Sequence, residues 1–590
     1  MERGSLVRWL LIGVGVFLFI QFVWPAITGK DEGGESQLQP LAGIIDNTAP
    51  PEAERQPEVT CTIDGNRFKA ELSNKGGVLK HVWMKDAKYT QSVEDNADPI
   101  DLVTTTDQSR MSLRTDLREP SGSAEQVPYN DLDWSLGTMT AKACTFTYED
   151  DKAKLEKVIS ANDRPFELEV SLSVTNKADA PQKHRLTIEQ TDWRTKNETV
   201  GGFLQRAPEF MTRVETHAGG ETERLDPTDF EPSEFSGENG FTAEMWRRIP
   251  GDPSWTAVAS SYFAKAIVPI KGPDKPAAEM LIEQWWDQAK FPNKDNDPNY
   301  GHLYRARLAY PVKELGTGET AAYEMLAYVG PKERAILGSV GGTGHEAIEL
   351  LDLGWFGWIG RILIHYLYLL YGLVGTWGIA ICLLTITVKI LLFPLSITQI
   401  KSTMAMRKLK PEMDEINAKY KDDATQRGLA MQELWRKNKV TNPMLGCLPI
   451  LLQMPVWFAL YQALQTAVEL YHTPFGPLIP DLSAPDGLYI IPVLLGASSF
   501  LQQHLMPMQG DAMQQKMMKY MMPGMFTVMM LFLPAGLGIY FLTNTWLSIL
   551  QQVAVERFYK SRENSGGGGG QTKSDDKSDK KADKADAKPA

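Results

Sequence analysis

Residues 57–345 alternate polar and apolar side chains in short runs: RFKAELS, FELEVSLSV, HRLTIEQ, WTAVASSYFAKAIVPI and AAYEMLAYV. Turn residues such as Asp64-Gly65, Lys75-Gly76-Gly77 and Gly272-Pro273 separate them. A period of two, punctuated this way, predicts a large antiparallel all-β sandwich. After residue 350 the pattern changes. Runs almost free of charge appear at 375–397, 443–468, 488–506, 517–533 and 536–555, and each is read as a helix crossing a bilayer. Only LPAG separates the last two, which reads as a tight hairpin. One more apolar run, 9–27, follows Arg3 and Arg8 with no small-x-small cleavage site behind it. It predicts an uncleaved signal anchor over residues 1–28. The expected fold class is therefore multi-domain: an α-helical polytopic membrane domain, six spans in total, plus an all-β domain.

The stretches between these elements have their own character. Residues 29–56 are rich in Pro, Glu and Gly and read as a linker. Residues 346–374 include LGWFGWIGRILIHYLYLLYG, where Arg361 and His365 are the only strongly polar side chains. Such a segment suits an interfacial amphipathic helix lying along the outer leaflet. GGTGHE at 341–346 is read as a flexible joint, since no strand clearly precedes it to make a phosphate loop. Residues 561–590 read as a disordered Gly/Lys/Asp tail.

Charge fixes the direction of the chain. The 61 Lys+Arg and 73 Asp+Glu are unevenly split. Residues 351–590 hold 23 and 18, or +5, and residues 1–350 hold 38 and 55, or −17. The loop 401–442 has ten Lys+Arg, whereas 469–487 has none and three carboxylates. Lys516 and Lys519 precede the fifth span, and Arg557, Lys560 and Arg562 follow the sixth. Positive residues on alternate sides require both termini in the cytoplasm and the acidic β domain outside. The acidic half excludes a DNA or other nucleic-acid binder, and 15 Trp, 22 Phe and 19 Tyr exclude disorder throughout. Of four cysteines, Cys382 and Cys447 fall in apolar runs. Cys61 and Cys144 lie in strand-like text outside, open to two readings: separate buried thiols or an exported pair.

The sharpest chemical feature is Lys389 in LLTITVKILLFPL, deep in an apolar run whose companion spans contain no Asp or Glu. A lysine at that depth costs about 3 kcal/mol on insertion scales. It must face water or polar side chains, unless it snorkels toward the cytoplasm helped by a helix end at Pro394. Thr385 and Ser396 share its face. Tyr540, Asn544, Ser548 and Gln551 form a polar stripe at helical spacing, Ser499 and Gln503 a shorter one, and Gln453 stands beside Pro455. Singly these are helix–helix glue; with Lys389 they can line one hydrated cavity. Ten of the 24 methionines fall between Met506 and Met530, an adaptable apolar surface or plain core filler. Segment 401–438 alternates basic and apolar residues around a KDD turn and reads as a cytoplasmic helical hairpin. Its basic face suits anionic lipid headgroups or ribosomal RNA, or is simply solvated. The histidines outside show no metal spacing, and Walker A, HExxH and GxSxG are absent, so neither a metal nor a cofactor is expected.

The runs GTWGIAICLLTITVKILLFPLSITQIKSTMAMRKLKPEM, NPMLGCLPILLQMPVWFALYQAL and PAGLGIYFLTNTWLSILQQ closely resemble the YidC membrane protein insertases, relatives of the mitochondrial Oxa-type insertases. SSYFAKAIVP and the FKAELSNKGG run look like the periplasmic domain of the Gram-negative members. The resemblance implies a bacterial inner-membrane protein that inserts and folds nascent membrane proteins, alone or with the Sec translocon. It implies contacts with ribosome and membrane lipids, and a periplasmic β-supersandwich similar to sugar mutarotases. It also implies a hydrophilic substrate groove, with Lys389 where relatives carry an arginine; on the polar spacing above, Thr385, Gln503, Tyr540 and Asn544 are expected to supply its hydrogen-bond partners. Phe541 stands where many relatives have a second tyrosine. Two other functions compete. A secondary transporter with a periplasmic substrate-binding domain usually needs intramembrane carboxylates, which are missing. An enzyme on the sandwich would rest on fold analogy alone.

Overall fold

The structure is a computed structural model that describes residues 37–39, 57–93, 96–105, 110–118, 134–195, 212–230, 241–242, 246–270, 274–287, 290–354, 356–421, 423–438, 448–505 and 516–566. The expected signal anchor 1–28, most of the linker, Gly272-Pro273, Cys447 and the last part of the tail lie outside the described residues.

The alternating runs form three antiparallel sheets. The nine-stranded sheet runs Glu221–Leu225, Arg213–Ala218, Pro253–Ala259, Phe263–Pro269, Thr320–Pro331, Glu167–Asn176, Ala153–Ala161, Ala143–Glu149, Ser135–Met139. The eight-stranded sheet centres on Ala277–Trp285, Gly301–Ala309 and Gln182–Thr195. A three-stranded sheet spans residues 60–84. Strand Ala153–Ala161 shows why its sequence, AKLEKVISA, extends: every second side chain is buried and the others are not. Central strands lose this alternation because both faces are covered. Gly301–Ala309 is buried at all nine positions, charged ones included. Arg305 there lies 2.8 Å from Glu189 and 3.3 Å from Glu283, and Arg307 donates to Glu279 at 2.7 Å. Burial alone would raise the Glu279 carboxyl; Arg307, Arg185 and Arg248 overturn that and hold it at about 2.

Cys61 and Cys144 form a disulfide, with Cα atoms 6.2 Å apart, so the pair and not two thiols is realised. It ties the three-stranded sheet to the nine-stranded one and spans a sequence separation of 83. A closed loop of that size is worth about 4–5 kcal/mol in the chain-entropy account.

Among the described residues eight helices follow: α1 Gly357–Val374, α2 Trp377–Leu391, α3 Phe393–Lys419, α4 Ala424–Lys437, α5 Leu448–Thr466, α6 Ile490–Leu505, α7 Met522–Met530 and α8 Ala535–Gly566. Among the described residues only α1 is both long and apolar enough to cross a membrane by length and composition; α2 and α6 are shorter apolar helices. The apolar run 375–397 is not one helix. Leu392 leaves helical geometry at φ −85°, ψ 0°, and α3 starts anew with Pro394 in its first turn, as a proline lacking an N–H favours. In α3–α4 the KDD turn places Asp423 as N-cap, accepting from the Thr425 and Gln426 N–H groups at 3.0 Å. Arg407 of α3 is held to Glu556 of α8 at 3.2 Å. A π-helical turn, Met517–Met521, precedes α7. Gly538 lets α8 approach α6: a Cβ there would sit 2.5 Å from Ile491. α8 continues to Gly566, so residues 561–566, expected as the start of the tail, are helical; RFYKSREN holds no Gly or Pro to stop the helix.

The sandwich and the helices share one core. Tyr471, in the loop between α5 and α6, is fully buried against Tyr89, Tyr262 and Phe263 of the sandwich. Its hydroxyl donates to the Thr90 carbonyl at 3.1 Å. Two residues earlier, Glu469 accepts from the Tyr368 hydroxyl of α1 and, at 3.4 Å, from the Arg334 N–H of a one-turn helix, Arg334–Leu337. The expected joint at 341–346 is a folded corner. Val340 is buried, Gly341 donates its N–H to Glu167 at 3.0 Å, and Gly341, Gly342 and Gly344 all take positive φ.

Candidate functional site

α6, α7 and α8 enclose a cavity of about 470 Å3, with Met454 of α5 at its edge. Its polar lining comes from two helices. On α6, Ser499, Gln502 and Gln503 recur one turn apart; on α8, Tyr540, Asn544 and Thr545 do the same. The apolar wall is α7, where Met522, Met525 and Met529 follow i, i+3, i+7 and Phe526 lies between them. The cavity thus has a wet side and a soft, dry side. Methionine's unbranched side chain lets the dry side follow shapes of different size.

Of the five candidate residues, Gln503, Tyr540 and Asn544 meet around this cavity. Lys389 and Thr385 do not line it. Both are on α2, against the far edge of the α8 stripe. Lys389 is only 8% exposed. Its Nζ donates to Ser548 Oγ at 2.8 Å, and Ser548 Oγ in turn donates to the Asn544 carbonyl at 2.8 Å. Two hydrogen bonds therefore connect the ammonium to a residue of the cavity wall. No carboxylate among the described residues lies within ion-pair distance of Lys389. Its position differs from mid-span: three residues before the break at Leu392, it occupies the last turn of α2. A cation there also meets the negative end of the helix dipole.

Thr385 turns its hydroxyl to the Ile381 carbonyl of its own helix at 2.7 Å, and Ser396 does the same toward Leu392 at 3.2 Å. Their shared face with Lys389 therefore does not deliver three polar groups to one place. Ser548, one member of the α8 stripe, is the direct partner of the charge. Gln502 and Thr545, beside Gln503 and Asn544, line the cavity without having been singled out. The signal was present in the i, i+4, i+7 spacing of Leu495, Ser499 and Gln502. Phe541 lines the cavity with its ring 5.4 Å from that of Tyr540. Among the described residues no group of His, Cys, Asp and Glu could hold a metal ion.

Comparison with known proteins places these parts. Residues 60–366 match the family described as YidC periplasmic domain, and residues 369–563 the family described as 60Kd inner membrane protein. The membrane protein insertase YidC of Anaeromyxobacter sp. (strain Fw109-5) is 32% identical over 506 residues, covering 85% of each chain. That of Syntrophus aciditrophicus is 31% identical over 515 residues, covering 85% of this chain and 86% of its own. A crystal structure of active YidC insertase with its first transmembrane domain resolved aligns over 91% of this chain and 99% of that one, at 17% identity and a TM-score of 0.35.

Proposed function

Because the chain belongs to the YidC family of membrane protein insertases, we propose that it receives the polar tail of a nascent membrane protein at the Lys389–Ser548 end of the α8 stripe. The protein is an inner-membrane insertase with a periplasmic domain, and its activity is insertion, not chemical conversion of a substrate. A transporter has no support among its relatives. Six spans, both termini in the cytoplasm and α1 lying along the outer leaflet complete the reading, because that arrangement alone puts every basic loop on one side. The Sec translocon, ribosome and lipids are its proposed partners. The basic face of α3–α4 suits the last two.

The observation that carries this reading is Lys389, buried, without a carboxylate, and hydrogen-bonded to a hydroxyl at the edge of a polar cavity. Carrying a bare charge across lipid costs several kcal/mol. A cation in a hydrated recess lowers that barrier for an acidic tail in two ways: by attraction at short range, and by shortening the apolar path. Ser499, Gln503 and Asn544 then offer hydrogen bonds that substitute for water. The client's apolar helix leaves along Met522, Met525 and Met529 into the bilayer, driven by burial of its surface at about 25 cal/mol per Å2. No nucleotide is needed, because the driving force is the client's own partition into lipid.

Insertion rates in reconstituted vesicles at matched protein levels test this. For a client with an acidic translocated tail, Lys389→Arg should insert normally, Lys389→Ala about tenfold more slowly, equivalent to about 1.4 kcal/mol, and Lys389→Glu slowest. Wild-type rates for both Lys389→Ala and Lys389→Glu would remove the charge from the mechanism.

A further inference from the structure

A second cavity, about 560 Å3, opens where the sandwich meets α1 and shares no lining residue with the first. Its polar wall carries three arginines, Arg224, Arg334 and Arg361, and three carboxylates, Glu346, Glu349 and Asp352. Most of these charges are already matched. Glu349 pairs with Arg361 at 3.0 Å, Asp352 with Arg213 at 2.9 Å and Arg224 with Glu215 at 3.4 Å, whereas Glu346 meets the His217 ring at 3.2 Å and accepts from the Ser254 hydroxyl at 2.6 Å. Arg334 is different. Among the described residues it has no carboxylate partner, and its Nη1 rests 3.2 Å from Nδ1 of His365 on α1. A guanidinium held against an imidazole keeps most of its five donors for something else. Arg361 and His365 are one turn apart, so Arg334 and Arg361 form a cationic rim where α1 leaves the sandwich, with the His365 ring accepting from Arg334 between them.

α1 adds a second, independent feature. Trp358, Ile362, Leu369 and Leu373 are 67%, 61%, 54% and 74% exposed. At 100° per residue they share one stripe about 60° wide. Arg361 and His365 fall on one edge of that stripe, and Ile364, beyond that edge, is buried and lines the cavity. Polar recess, cationic rim and bare apolar stripe are therefore contiguous around one helix. A soluble anion would use only the first two; an amphiphile uses all three.

We propose that this cavity binds the headgroup of a membrane phospholipid, its phosphodiester on Arg334 and Arg361 and its acyl chains along the Trp358–Leu373 stripe. Glu346 in the same wall, 58% exposed and with no arginine or lysine paired to it among the described residues, disfavours a purely anionic headgroup and suits one that also carries an ammonium, as in phosphatidylethanolamine. The assignment rests on the outer-leaflet placement of α1 proposed above. It goes beyond insertion, since it gives the periplasmic domain a lipid ligand of its own.

The test uses the full chain in vesicles containing a photoactivatable phosphatidylethanolamine, with cross-links mapped along α1. The wild type should label α1, and Arg334→Gln/Arg361→Gln should label about tenfold less, with Arg334→Lys/Arg361→Lys restoring most of the signal. Leu369→Gln/Leu373→Gln, which leaves the cavity untouched, should also lose label. Excess glycerophosphoethanolamine, the headgroup without chains, should not compete. Labelling of α1 that ignores both arginines would overturn the site while leaving α1 on the leaflet; absence of any label on wild-type α1 would overturn that placement and the site with it. Full competition by the chain-free headgroup, or preferential labelling by the phosphatidylglycerol analogue, would overturn the phosphatidylethanolamine assignment.

Discussion

Two buried lysines in this chain are treated in opposite ways. Lys265, 4% exposed in the sandwich, lies 2.8 Å from Asp192 and donates to the Leu102 carbonyl at 2.7 Å. Asp192 in turn holds Arg194 at 2.9 Å and accepts from Thr104 at 2.6 Å. Lys389, similarly hidden among the helices, receives a single hydroxyl. Lys157 stands between them: fully buried, it donates to the Leu113 carbonyl and Thr115 hydroxyl, and burial pushes it down to about 7. Charge in the sandwich is thus either closed by an acid or allowed to titrate. Among the described residues the membrane-side lysine is given neither an acid nor a dense set of acceptors. What looks like the poorer solution for stability is the better one for a group that must meet another molecule's charge.

The largest effect that can break this contrast is on the sandwich side. Asp192→Asn leaves Lys265 buried without the acid 2.8 Å from it. An uncompensated buried charge costs about 3–5 kcal/mol, so the full-length protein should become protease-sensitive within residues 57–345 at a markedly lower temperature. Lys389→Ala should leave that temperature unchanged while slowing insertion. If both variants lost stability equally, Lys389 would be a structural lysine like Lys265.

How far these roles were legible differs between the two halves. The strands were readable because period-two alternation survives where only one face of a strand is covered, as in Ala153–Ala161. Strand Gly301–Ala309 shows the limit. Its Arg305 and Arg307 look like solvent positions in GHLYRARLA, and only the partners Glu189, Glu279 and Glu283, distant in sequence, make their burial possible. The Cys61–Cys144 bond was undecidable for the same reason, because its geometry depends on how two sheets pack. In the membrane half, Lys389 announced itself by its cost, and the α8 stripe by its spacing. Sequence spacing could not tell that Thr385 bonds its own helix or that the 375–397 run breaks at Leu392. Local hydrogen bonds and a proline's missing donor decide both.

The two halves meet at Glu469, and pH tests their junction. Burial, reinforced by Glu333, raises this carboxyl to about 7, against the Arg334 N–H and Lys88, which act to lower it. The docked state therefore binds the proton more tightly than an unfolded chain with a value near 4.5. Its contribution is fully present below about 4.5 and fades as pH rises through about 7. Exchange protection of residues 468–473, corrected for intrinsic rates, should be higher at pH 5.5 than at pH 8, and Glu469→Gln should remove the difference. Protection that rose with pH would reverse the assignment of this carboxyl.

The smallest effect sharpens the comparison most, because it separates the charge of Lys389 from its position. Ser548 is the sole side-chain partner of that ammonium among the described residues, and its hydroxyl donates in turn to the Asn544 carbonyl. Ser548→Ala keeps the cation and deletes the hydroxyl that aims it at the cavity wall. A hydrogen bond of this kind is worth about 0.5–1.5 kcal/mol net, so insertion of an acidic-tailed client should slow by about threefold, less than with Lys389→Ala. Ser548→Thr should restore the rate, since its hydroxyl can occupy the same place. A client with a neutral tail should be insensitive to all three variants, because nothing in it calls on the ammonium. An equal slowing of acidic and neutral clients by Ser548→Ala would mean that the hydroxyl serves only helix packing. A loss as deep as that of Lys389→Ala would mean that a lysine left unaimed is no better than none, and that the hydroxyl and the charge act as one unit.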